Sequence, residues 1–181
     1  EKLQAGLVLY EGEWVSASDR DRLKKGMVKL GDKWVTRSEK ELVDRGWRKL
    51  KGTWMSPEDY LSFHRNWQNA WESTTEHFRI RTNASESLLE TLGGMLEAAL
   101  LEIRTYEGGG EVRPAAGKKI QALAFHSFAD YRAYCEKSGS LDKLNAAGFA
   151  RTDSDTVVGW NKTGNEADLC ATMVHELVHY V

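Results

Sequence analysis

The sequence predicts an α+β fold in two parts, on three observations. Glycines at Gly6, Gly26 and Gly46 and tryptophans at Trp14, Trp34 and Trp54 recur every 20 residues, the mark of small stacked repeats. From His77 onward, alternating and helical runs follow in the order strand, helix, strand, helix, hairpin, helix, which calls for a mixed sheet with helices packed on it. The last helix carries the spacing His175-Glu176-Leu177-Val178-His179. The expected organisation is three repeats over 1–65, a connector over 66–76 and a second domain over 77–181.

Each repeat reads as strand, turn, strand, helix. A short alternating run such as Leu7-Val8-Leu9-Tyr10 meets a turn at Glu11-Gly12 or Gly31-Asp32, and a second run carries the tryptophan. Ser16, Thr36 and Ser56 are each followed three residues on by an acid, Asp19, Glu39 or Asp59, the spacing of a capping box. Pro57 occupies the favoured first helical position of the third unit. Twenty residues are too few to fold alone, so the tryptophans are expected to pack against neighbouring units. As an alternative, Trp14, Trp34 and Trp54 form a row of aromatic platforms for a glycan or peptide ligand.

In the second part, His77 to Thr82 alternates as a strand, and Asn83 or Ser85 can cap a long helix from about Glu86 to Tyr106. Leu88, Leu89, Leu92, Leu96, Leu100 and Ile103 line the apolar side of that helix. Gly108-Gly109-Gly110 and Pro114 mark a loop. Lys119 to Phe125 reads as a buried strand, Phe128 to Lys137 as a helix, and Phe149 to Trp160 as a hairpin turning near Thr152-Asp153-Ser154-Asp155. The final helix begins near Asn165.

His175 and His179 are four apart, so on a helix both imidazoles leave from one face. Two neutral ring nitrogens so placed can hold one zinc ion. Glu176 is adjacent and of the right type to move a proton during hydrolysis. On a helical wheel Cys170, Met173, Val174, Leu177, Val178 and Val181 form an apolar side, opposite Thr172, His175, Glu176 and His179. His64, His77 and His126 are available by type as a third ligand, but no known spacing places them.

A net charge of -2 gives no electrostatic case for nucleic acid, and no apolar run is long enough to span a bilayer. With 41% hydrophobic and 29% charged residues the chain has the material for a core. Cys135 and Cys170 read equally as one disulfide or two buried thiols.

From His77 to Val181, through HFRIRT, LLEIRTY, KIQALAF, FADYRAY, AAGFARTDSDTVVGW and ATMVHELVHY, the chain resembles the gluzincin group of zinc metallopeptidases, nearest to its bacterial peptidase-like families of unknown function. The resemblance implies the upper subdomain of a zincin-like fold and zinc-dependent hydrolysis of a peptide or protein substrate. It makes His175 and His179 zinc ligands, Glu176 the general base, and Val157, Val158 and Gly159 part of the edge strand that aligns substrate. In the family a third ligand, usually a glutamate, lies on a later helix, whereas only Tyr180 and Val181 follow His179 here. The expectation is a chain that stops after the active-site helix and is inactive by itself. The other expectation is a non-catalytic zincin-like scaffold whose repeats bind peptide or a cell-surface polymer. The family's habits and the start at Glu1 favour an extracellular or periplasmic location.

Overall fold

The computed structural model describes residues 6–106 and 117–181, so the loop expected at 108–110 and Pro114 lies outside the described residues. The chain is a mixed α and β structure that divides into two compact units, Glu1–Tyr60 and Leu61–Val181.

Each repeat is an antiparallel hairpin followed by a helix. The first holds β1 (Leu7–Tyr10), β2 (Glu13–Ser16) and α1 (Ala17–Lys24); the second holds β3 (Met27–Leu30), β4 (Lys33–Thr36) and α2 (Arg37–Asp44). The third holds β5 (Arg48–Leu50), β6 (Thr53–Met55) and α3 (Pro57–Arg65). The repeating glycine closes the preceding helix. Gly26 and Gly46 adopt φ of 73° and 82°, and their N–H groups reach Leu23 O and Val43 O at 2.8 Å, a left-handed stop that side chains resist. Ser16, Thr36 and Ser56 accept the N–H three residues on at 3.0, 3.2 and 3.0 Å. Only the second unit completes the box, because Glu39 reaches back to the Thr36 N–H at 3.2 Å. Asp59 is one methylene shorter and accepts from the Ser56 hydroxyl instead, at 2.7 Å.

The repeat tryptophans, expected to pack against neighbouring units, are not buried. Among the described residues up to Tyr60 none is fully buried, and Trp14 is 37% exposed. Trp34 and Trp54 sit cross-strand from Lys29 and Lys49, whose ammonium groups lie 5.4 and 5.3 Å from the indole centroids. Arg22 of the preceding helix approaches Trp34 at 5.7 Å. A cation over an indole face is attracted by its quadrupole, worth about 0.5–1 kcal/mol at exposed sites.

The second unit contains β7 (Trp71–Thr74), β8 (Phe78–Thr82), α4 (Ser87–Tyr106), β9 (Ile120–Phe125), α5 (Phe128–Ser138), β10 (Gly148–Arg151), β11 (Thr156–Trp160) and α6 (Glu166–Tyr180). Its five-stranded sheet has the order β10-β11-β9-β8-β7, parallel at the centre and antiparallel in both outer pairs. The segment expected as a connector therefore supplies an edge strand, β7, preceded by a 3-10 turn at Trp67–Asn69. Period 2 sorts the sheet residues. Phe78, Ile80, Ile120, Ala122, Ala124 and Val157 join Leu88, Leu92, Leu96 and Leu100 of α4 and Leu169, Met173 and Leu177 of α6. Phe125, Phe149 and Val158 face the other way and pack with Tyr131 and Cys135 of α5. Each such leucine stabilises the fold by roughly 1.5–3 kcal/mol.

Cys135 and Cys170 fall in these two separate clusters and are free thiols. Ser85 is the cap of α4, accepting the Leu88 N–H at 3.2 Å. Asn83 is wholly buried and ties three segments together. Its amide donates to Arg65 O at 2.7 Å and Asp130 Oδ2 at 3.0 Å, and its oxygen accepts the His126 N–H at 2.7 Å. Among the described residues no helix is long and apolar enough to cross a membrane.

Candidate metal centre

The helix α6 forms because Asn165 caps it, accepting the Ala167 N–H at 3.0 Å, and because Leu169, Cys170, Met173, Leu177 and Tyr180 make one buried stripe. Both ends are tied down. Thr163 donates to Asp168 at 2.7 Å near the start, and the Tyr180 hydroxyl donates to Asp155 in the β10–β11 turn at 2.7 Å. Val178 departs from the expected wheel: it is 56% exposed, on the same outer face as His175 and His179.

The two imidazoles converge. His175 Nε2 and His179 Nε2 lie 3.0 Å apart, with ring centroids 4.7 Å apart and planes at 83°. Two nitrogens bound to one tetrahedral zinc at 2.0–2.1 Å would stand about 3.3 Å apart, so the pair fits a shared metal with a few tenths of an ångström of adjustment. Either one ring donates to the other, or a cation takes both lone pairs; two protonated rings would repel. Glu176 is half-buried between this exposed pair and the sheet.

What holds Glu176 there is a pair of glycines. Gly148 of β10 and Gly159 of β11 are cross-strand partners, and both face α6. A Cβ on Gly148 would stand 2.7 Å from Val158 O, 2.8 Å from Thr172 Cγ2 and 3.0 Å from Glu176 Cγ. A Cβ on Gly159 would stand 2.7 Å from Met173 Sδ. Only glycine lets the helix lie this close to the hairpin.

The edge-strand assignment requires correction. β11 is bonded on both sides, to β10 and to β9, so Val157, Val158 and Gly159 have no free backbone edge. Val157 and Val158 are core residues of opposite faces, and Gly159 is a helix contact. The strand at the sheet edge beside Glu176 is β10, Gly148–Arg151. The sequence marked the hairpin but not which arm lies outside, since both arms alternate alike. A glycine inside a strand pattern was the available signal for Gly148.

Among the described residues no third histidine, cysteine, aspartate or glutamate joins His175 and His179. His64 and His77 are engaged elsewhere. His64 Nδ1 meets Asn69 O at 2.5 Å, and its ring stacks on Trp71 at 4.6 Å. His77 donates from Nδ1 to Glu97 at 2.7 Å and receives Arg104 at Nε2 at 2.9 Å. His126 follows β9, where burial and then the charge of Arg65 hold its ring below the ordinary histidine range. No family model, no curated protein and no solved structure matches the chain.

Proposed function

We propose that α6 carries the metal ligands and the proton-transfer group of a zinc-dependent peptidase with a zincin-like upper subdomain. The observation that carries this reading is the convergence of His175 Nε2 and His179 Nε2 at 3.0 Å, with Glu176 beside them under a strand edge. Zinc in that position supplies Lewis acidity toward water and a peptide carbonyl. Glu176 accepts the proton of the attacking water and returns it to the departing amine. The free edge of β10 aligns an extended peptide by main-chain hydrogen bonds. Catalytic zinc takes three protein ligands and an open position; the reading assigns the third to a group outside the described residues.

The test is zinc content by mass spectrometry beside peptide hydrolysis. One zinc per chain is expected, lost in His175→Ala. Once the third ligand is supplied, Glu176→Gln should keep the metal and abolish hydrolysis. Equal zinc in His175→Ala and the parent would sink the proposal.

A second reading, a binding scaffold, is favoured by one feature of the repeats. A 520 Å³ cleft in the first unit is lined by Trp47, Trp54 and Tyr60 beside Arg48 and Lys49, a combination suited to a glycan or peptide. On this reading Glu176→Gln changes nothing, and Trp54→Ala removes binding of that partner from a chain that still folds.

A further inference from the structure

A cavity of the second unit lies away from the histidine pair. Its volume is 610 Å³, within the range of small-molecule sites. Leu123, on the same face of β9 as Phe125, lines it beside α5. Trp67 and Tyr134 form its aromatic walls, and both rings rest on the buried Phe125, with centroids 4.0 and 5.5 Å from it. These walls are braced from behind, so the cleft is preformed and a ligand orders little on entry.

Its charges are unequally committed. Asp130 is already occupied, accepting from the Ser127 hydroxyl at 2.6 Å and from the Asn83 amide at 3.0 Å. Arg81 holds the wall in place. Its guanidinium lies 4.9 Å from the Trp67 centroid, donates to Trp67 O at 2.7 Å and stands 3.4 Å from Glu72. Lys137, on the rim of α5, has no hydrogen bond or ion pair among the described residues. The cleft thus combines an apolar leucine, two aromatic walls and one uncommitted cation.

We infer that this cleft binds a small carboxylate with an aromatic or branched aliphatic body. The body lies on Leu123 between Trp67 and Tyr134, and the carboxylate meets the Lys137 ammonium. Arg81 is a positioning residue that fixes the Trp67 turn.

The experiment is an amide-resonance titration of the full metal-free chain with indole-3-acetate, phenylacetate and 4-methylpentanoate, each beside its neutral amide. At least one carboxylate should shift Leu123, Tyr134 and the Trp67 indole N–H, leave His175 and His179 unmoved, and bind more tightly than its amide. Lys137→Gln should weaken that binding about two- to fivefold, the range of one exposed ion pair. Ala133→Trp, an exposed helix position whose side chain would fill the cleft, should abolish it while the rest of the spectrum stays folded. No shift with any of the three carboxylates overturns the inference. So do shifts centred elsewhere, equal binding of the amides, or undiminished binding by Ala133→Trp.

Discussion

Glu97 accepts the Thr75 hydroxyl at 2.5 Å, the His77 backbone N–H at 2.7 Å and the His77 ring at 2.7 Å. Burial works to raise its pKa, but these three donors outweigh burial and hold the carboxyl below its ordinary value. A carboxylate depressed on folding contributes stability above its unfolded pKa, and that stability is lost as pH falls through the lower folded value. Thermal unfolding followed through the acid range should therefore show a falling limb that Glu97→Gln flattens. The two thiols behave in the opposite sense. Cys135 and Cys170 are 0% and 2% exposed, and burial raises both, so neither forms the reactive thiolate. The native chain should resist a thiol reagent and release two reactive groups on denaturation, with no crosslink on a non-reducing gel. At this scale the sequence was informative where partners are local. The caps at Ser16, Thr36 and Ser56 were legible because donor and acceptor lie within three residues. The Glu97–His77 pair was not, because α4 must first pack on the sheet to bring them together.

At the scale of elements, glycines at two sites should respond with opposite signs. A Cβ on Gly148 meets backbone at 2.7 Å and helix side chains at 2.8 and 3.0 Å, so Gly148→Ala must push α6 off the hairpin. The expected loss is roughly 1–3 kcal/mol, as for other overpacked sites; under the proposed function, weaker zinc binding would accompany it. Gly94 lies inside α4 with nothing within 4 Å of an added Cβ. Gly94→Ala should stabilise by about 0.5–1 kcal/mol, the helical preference for alanine. Denaturant midpoints of the two variants check both signs at once. Strong periodicity made α4, β9, α5 and α6 legible to within a residue or two. β7 was missed because Trp71-Glu72-Ser73-Thr74 is short and mostly polar, and becomes a strand only by pairing with β8. The arms of the β10–β11 hairpin were recognised while their order in the sheet was not, since that order depends on which arm β9 pairs with.

At the scale of the molecule, the two units differ in what protects them. The sheet unit buries complete side chains on both faces of its strands, whereas none of the described residues up to Tyr60 is fully buried. Backbone hydrogen bonds without a buried apolar cover open at low cost. Amide exchange should therefore be faster in β1 to β6 than in β8, β9 and β11; equal protection would contradict the reading. The same architecture also sets a kinetic order. Each repeat hairpin closes across a two-residue turn, which costs little chain entropy and forms within microseconds. The parallel sheet cannot begin until β8 finds β9 across the whole of α4, and β9 finds β11 across α5 and a hairpin. Pairing over such separations is slow. A newly released chain should pass through an interval in which the repeats are in place and the helix bearing His175 and His179 still lacks the sheet that positions it; under the proposed function, zinc capture would then report the last folding event and not the first.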